Sequence, residues 1–455
     1  MPKKSIDMCN GPLFSNVVRY TVPIILTGLL QLLVTAADLV VVGQFCGSAS
    51  VGAVGATNSI INLITNLFIG LSVGAGVTVA QGLGAGDDEV VRRTVHTAIP
   101  LAVVSGLLLT GVGIFAAPIF LRWMNTPQEF IHLSILYVQV YFGGIVSTMV
   151  YNYGASILRA AGDSRSPLIF LMIAGGVNVA LNVFFVTAFR MDVAGVALAT
   201  ALSQTLSAVL VLRALSHRTD ACRLDWRHMR LEGRVLLRML RIGLPAGIQG
   251  SMFSISNVMI QSSVNDFGPV AVAGYSAAGS LEGFVYVSMN ALHQTALNFV
   301  GQNVGAANYK RVRQVMNTCV ASVTVIGVVM AGLLIVCGRP LLGLYISDSP
   351  QAIEYGMTRL LFIGTAYFLC GAMDVITGGI RGLGASVAPM LITVLGVCGM
   401  RLVWIWFALP LMPTLEMIYL SYPISWLLTT VAQWITYRLI LRRRDPEGGL
   451  RRGRV

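Results

Sequence analysis

The 455-residue chain carries 55% hydrophobic residues against 11% charged ones, with a mean hydropathy of +0.76. Soluble domains hold roughly 25% charged residues, so this chain has too few polar side chains to clothe a water-facing exterior, and the bilayer must be its solvent. That excludes a water-soluble enzyme, a secreted disulfide domain and a single-span anchor, and the formal charge of +12 has to be read from where the basic residues fall.

A spanning helix needs ~20 apolar residues. Taken in chain order, apolar runs near 14–44, 52–82, 93–118, 132–158, 166–188 and 193–216 predict six spans. Six more follow near 235–264, 270–303, 312–338, 355–380, 387–410 and 416–440. The first starts behind Lys3 and Lys4 and is expected to stay as a signal anchor rather than be cleaved. With both termini cytoplasmic, 26 of the 31 Lys and Arg residues fall on the inner side, the exceptions being Arg122, Arg190, Arg339, Arg359 and Arg401. This bias orients the chain as a multi-pass inner-membrane protein. Topology thus explains the basic excess without a nucleic-acid partner, although the basic tail can touch anionic membrane lipid. Seven cysteines without any C-x-x-C pair predict no disulfide framework and no structural metal; no cofactor is expected.

The chain is duplicated. Gln81-Gly82-Leu83-Gly84-Ala85 recurs as Gln302-Asn303-Val304-Gly305-Ala306, the stretch from Arg159 to Pro167 recurs from Arg381 to Pro389, and Pro23 is matched by Pro245. The offsets are 221 or 222. Each repeat holds six spans, so the halves run parallel and should be related by a pseudo-two-fold along the membrane normal. The predicted division is 1–213 as an N-lobe, 214–234 as a cytoplasmic basic linker, 235–441 as a C-lobe and 442–455 as a basic cytoplasmic tail.

An ionised group at the bilayer centre costs about 2.5 to 3.5 kcal/mol on insertion scales, so acids inside spans are the first candidates for chemistry. Three qualify: Asp38 in span 1, Glu282 in span 8 and Asp374 in span 10. Hydrocarbon disfavours a bare carboxylate, so such a group takes up a proton, draws in Na+ or a cationic ligand, or pairs with an arginine. Arg401 in span 11 is the partner expected for Glu282 or Asp374. Neutral polar groups able to complete a hydrated pocket are Asn178 and Asn182, one turn apart in span 5, and Asn257 and Gln261 in span 7. His293 lies three turns after Glu282 and is predicted to share its face. Gly70-x-x-x-Gly74, Gly82-x-x-x-Gly86 and Gly378-x-x-x-Gly382 predict close helix approach, and Pro23 and Pro245 are hinge candidates. No nucleotide-binding loop or hydrolase motif is present in the sequence, so energy is expected from an ion gradient.

These features together resemble a known family. The Gln-x-x-Gly-Ala segments after spans 2 and 8, Leu158-Arg159-Ala160-Ala161-Gly162-Asp163-Ser164 with Ile380-Arg381-Gly382-Leu383-Gly384, and Asp192-Val193-Ala194-Gly195-Val196-Ala197-Leu198-Ala199-Thr200 are similar to the multidrug and toxic compound extrusion (MATE) transporters over about 14–440. The resemblance implies an all-α integral membrane fold of twelve transmembrane helices in two six-helix lobes forming a V. It also implies a secondary antiporter exporting organic cations or amphiphilic drugs in exchange for H+ or Na+ by rocking of the lobes. Asp38 matches the first-helix acid of the family's N-lobe cation site, where Na+ also fits, and Asn178 matches a fifth-helix Asn. Asn182 stands where some members have Asp, and Phe253 where some sodium-coupled members have Glu. The expected coupling-ion site is therefore Asp38, Asn178 and Asn182, with Glu282, Asp374, Asn257, Gln261, His293 and Arg401 at a substrate or second-ion site between the lobes. Expected partners are small cationic or amphiphilic molecules and lipid, with the protein a monomer. The rival readings are a lipid-linked oligosaccharide flippase of the same superfamily, disfavoured by an intramembrane excess of acids over arginines, and an intramembrane enzyme using His293 and Glu282.

Overall fold

The computed structural model describes residues 5–123, 128–129, 131–346 and 349–445, the side chains of Ser48 and Ser59 excepted. Lys3, Lys4 and most of the predicted 442–455 tail lie outside the described residues. The first half holds α1 (Leu13–Phe45), α2 (Ser48–Ala85), α3 (Asp88–Trp123), α4 (Ile131–Gly143), α5 (Ile145–Ala160), α6 (Arg165–Thr187) and α7 (Val193–Ser216). The second holds α8 (Gly233–Asn265), α9 (Pro269–Gly305), α10 (Tyr309–Tyr345), α11 (Pro350–Arg359), α12 (Tyr367–Gly382), α13 (Val387–Thr393), α14 (Met400–Phe407) and α15 (Leu415–Arg444).

Among the described residues eight helical stretches are long and apolar enough to cross a bilayer, α13 and α14 counting as one through the π-helical turns at Val394–Gly399. The pairs α4–α5 and α11–α12 add two bent spans. The continuous helices α8 and α15, 33 and 30 residues long, complete twelve; both bring arginines at one end, which lowers their apolarity without shortening them. Large apolar side chains such as Phe115, Val336 and Trp406 face outward, as a hydrocarbon solvent requires.

The duplication is written into the backbone. Left-handed φ values recur in pairs at the repeat offset: Gly47 (94°) with Gly268 (90°), Gly86 (68°) with Ala307 (53°), and Gly162 (85°) with Gly384 (84°). Gly162 needs its conformation so that the Asp163 amide can donate to the Leu158 carbonyl and close α5; Gly384 does the same for α12, where Ala385 donates to Ile380. A left-handed turn of this kind favours glycine because a Cβ would clash with the carbonyl. Asp163 then starts the next helix by accepting from the Arg165 and Ser166 amides. The bends also correspond: α4–α5 turns by 48° at Gly144, and α11–α12 by 47° after the π-helical turn Leu360–Gly364.

Packing divides the chain into two compact units whose boundary does not follow the sequence halves. The first unit is Met1–Asp7 with Val22–Ser251; the second is Met8–Thr21 with Met252–Val455. The first helix of each repeat, α1 and α8, is therefore shared, with Pro23 and Pro245 near the changeovers. Within the first unit α2 lies hard against the start of α8: a Cβ on Gly70 would stand 2.2 Å from the Gly247 nitrogen, and one on Gly74 2.1 Å from the Met239 carbonyl oxygen. Gly378 and Gly382 serve the same purpose for α12 on α9 in the second unit, whereas Gly86 terminates α2 in a left-handed conformation, and a Cβ there would meet nothing within 4 Å. The segment 214–234 is folded onto the first unit, with Cys222 and Leu224 fully buried in its core.

Candidate functional site

In the first unit the sequence-predicted polar residues of α1 and α6 meet. Asn182, wholly buried on α6, spreads its amide NH2 between two acceptors, Asp38 Oδ1 at 2.5 Å and Asn178 Oδ1 at 3.1 Å. Asn178 in turn donates toward Thr200 Oγ1 at 3.3 Å and Ser203 Oγ at 3.4 Å on α7. A polar chain thus crosses three helices through apolar surroundings, each member held by the next. The Tyr137 and Tyr141 rings of α4 stack on each other within electrostatic reach of Asp38. Among the described residues no arginine or lysine pairs with Asp38, and Asn182 Oδ1 is buried without a hydrogen-bond partner. A carboxylate without a positive group beside it is the kind of group that a small hard cation or a proton satisfies.

The second unit is arranged differently, and it corrects the sequence expectation. Glu282 is neutralised by Arg359: Nε donates to Oε1 at 3.0 Å and Nη2 to Oε2 at 2.7 Å. Arg359 also donates from Nη1 to the Tyr275 carbonyl and lies 3.8 Å over that residue's ring. Arg401, the partner expected for the acids, makes no ion pair among the described residues. It sits over the Tyr422 and Trp426 rings at 3.9 and 5.6 Å and donates from Nε to Ser425 Oγ. Asp374 is buried on α12, faced by the Tyr286 hydroxyl and by Arg381 one helix end away. His293 Nδ1 bonds the Asp374 backbone carbonyl at 2.6 Å, so it anchors α9 to α12 and is not joined to Glu282. Asn257 is exposed on α8, and Gln261 donates to Asn265 on the same helix.

The predicted acidic excess is also corrected. Arg359, Arg381 and Arg401 are all buried, equal in number to Asp38, Glu282 and Asp374 among the described span residues. Sequence reading counted Arg381 only among the inner-side basic residues, whereas the structure buries it in the last turn of α12. Arg359 carried a usable signal, since it is one of five exceptions to the inner-side bias. Thr200, Ser203 and the aromatic shelf under Arg401 had none, because hydroxyls and aromatics are ordinary in membrane helices.

A sequence profile described as MatE matches residues 23–184 and again 245–407, one match per repeat. A protein of Bacillus subtilis (strain 168) named probable multidrug resistance protein YpnP is 27% identical over 393 residues, covering 86% of this chain and 87% of the relative. A second protein of the same strain, probable multidrug resistance protein YoeA, is 25% identical over 436 residues, covering 94% of each. A solved structure described as the outward-facing conformation of a multidrug resistance MATE family transporter of the MOP superfamily superposes with a TM-score of 0.91 at 20% identity, covering 98% of this chain and 99% of that one. With the profile matched once in each repeat and the backbone shared with solved MATE transporters, the chain belongs to the MatE family.

Proposed function

We propose that the chain is a multidrug efflux antiporter of the inner membrane, both termini cytoplasmic, exporting amphiphilic organic compounds, organic cations among them, in exchange for H+ or Na+. The names of its relatives support the efflux. The observation that carries the ion coupling is Asp38: among the described residues its carboxylate accepts from the Asn182 amide and pairs with no guanidinium. A cation arriving there replaces missing charge and missing donors at once, and a ligand that binds one conformation better shifts the population toward it. Asn178 passes the constraint on to α7. In the second unit the acid available to a cationic substrate is Asp374, since both oxygens of Glu282 are engaged.

Reconstituted protein separates the parts of this reading. Dye export in response to an imposed pH gradient or an imposed Na+ gradient identifies the ion. Asp38→Asn should keep the fold, since an amide still bonds Asn182, yet lose gradient-driven export; export at the wild-type rate in that variant defeats the proposal.

A further inference from the structure

Four guanidiniums from two distant stretches of chain converge on a half-open cavity of the first unit, at the N-terminal end of α3. The cavity measures about 320 Å3, at the small end of the ~300–1,000 Å3 typical of small-molecule sites. Arg92 and Arg93 enter it from the first turns of α3, Arg227 and Arg230 from the segment joining the repeats, and His96 and Thr97 form its buried floor.

The joining segment is fastened there by its backbone. The Asp225 amide donates to His96 Nε2 at 3.0 Å, the Arg230 amide donates to the His96 carbonyl at 3.3 Å, and Thr97 Oγ1 donates to the Arg230 carbonyl at 3.3 Å. With Nε2 accepting, Nδ1 is left to donate to the Arg92 carbonyl at 2.6 Å, so both ring nitrogens are engaged by backbone. Two carboxylates brace the cations: Glu89 takes Arg92 and Arg93, while Glu232 takes Arg93 at 3.1 Å and stands 3.8 Å from Arg230. Arg227 has no ion-pair partner among the described residues. Four guanidiniums against two carboxylates leave a positive surplus in a walled space.

The inside-positive bias explains why arginines lie on this face, but not why four of them share one cavity braced by common carboxylates. We propose that this cavity binds a phosphate group. Guanidinium forks match the oxygen spacing of phosphate and present several donors at fixed angles. The phosphate can belong to an anionic lipid headgroup of the adjacent leaflet or to a soluble anion, and this proposal does not depend on the ion-coupling reading.

The test is thermal unfolding of the full-length protein in two arms: neutral detergent titrated with inorganic phosphate against chloride of equal ionic strength, and phosphatidylcholine nanodiscs with and without phosphatidylglycerol. A saturable rise in Tm is expected in at least one arm, with the midpoint weakened at least tenfold in Arg227→Gln and in Arg230→Gln. Arg438→Gln, a basic residue on α15 stacked on Trp434, should respond as wild type. Arg227 is exposed and has no ion-pair partner among the described residues, so its variant should fold normally. A response to phosphatidylglycerol alone identifies a lipid phosphodiester, and a response to inorganic phosphate identifies a soluble ligand. Absence of a specific rise in both arms, or wild-type midpoints in both cavity variants, overturns the proposal.

Discussion

Removing Arg359 tests whether Glu282 is a structural ion-pair member or a carrier. The pair is nearly sealed, with side-chain exposures of 8% and 4%, and its two hydrogen bonds are charge-assisted. Breaking a buried pair by deleting one member costs about 3–5 kcal/mol, because the survivor is left charged and unpaired. Arg359→Met should lie at the upper end, since Glu282 loses both of its donors. Glu282→Gln should lie at or below the lower end: the amide oxygen still accepts one bond, and Arg359 keeps the Tyr275 carbonyl and ring. Replacing both by methionine removes the desolvated charges together, and such swaps are neutral or stabilising by about 1–4 kcal/mol. The expected order of stability is therefore the double variant at or above wild type, then Glu282→Gln, then Arg359→Met. A double-mutant cycle on denaturation in detergent reads the coupling, and proteoliposome export is measured on the same samples. The double variant should still export dye. If it is stable but no longer responds to an ion gradient, Glu282 is a coupling residue and the assignment of coupling to Asp38 alone is wrong; if Arg359→Met is as stable as wild type, the pair is not the lock described.

Three further outcomes follow from the geometry. Asn182→Ala strips a donor from both Asp38 and Asn178, so it should cost about 1–3 kcal/mol and slow gradient-driven export although Asp38 is intact; wild-type export would detach the amide from coupling. Gly70→Ala puts a methyl group 2.2 Å from backbone nitrogen of Gly247 and should destabilise by about 1–3 kcal/mol or more, while Gly55→Ala in the same helix meets nothing within 4 Å and should gain about 0.5–1 kcal/mol; equal denaturation midpoints would refute the close crossing. In the joining segment, the Arg227 amide and then His228 hold the Asp225 carboxyl below the ordinary carboxylate range. A depressed folded-state value means its stabilisation is present above the unfolded pKa of ~3.9 and is lost as pH falls through the folded one. Amide exchange at residues 226–230 should therefore accelerate, relative to the α3 amides, only on acidification below that range.

Most of the fold was legible because the bilayer makes the sequence signal coarse: long apolar runs, inner-side arginines and a repeat at one offset. What the runs could not reveal were the breaks within them. Gly144 bends its span without a proline or a polar interruption, and the Leu360–Gly364 turn is itself wholly apolar although Arg359 precedes it, so mean hydropathy marks neither break. The sharing of α1 and α8 between packing units was equally hidden, since it is decided by which small residues meet, such as Gly70 with Gly247, and not by where a loop falls. The polar chain from Asp38 to Asn178 was readable from spacing on one helix, because i and i+4 side chains face the same way. The partner of Glu282 was not, since an ion pair between α9 and α11 depends on how two helices with no sequence register are aligned.

The two repeats keep a common backbone but not a common chemistry. At the repeat offset of 222, Asp38 corresponds to Ile260, Asn178 to Met400 and Asn182 to Trp404; in the other direction Arg359 corresponds to Tyr137, Asp374 to Asn152 and Arg401 to Val179. The bends, three pairs of left-handed turns and the prolines of the first helices recur at an offset of 221 or 222. Geometry that lets a helix flex has therefore been held in both halves, while ionisable groups have been sorted so that, among the described residues, one unit keeps an acid without a counter-charge and the other keeps an acid clasped by arginine. A ligand biases an equilibrium only by as much as it binds one state better. In the proposed mechanism a small cation finds such a differential grip at Asp38, and the clasped Glu282 gives it none, so a nearly symmetric scaffold can be driven from one side.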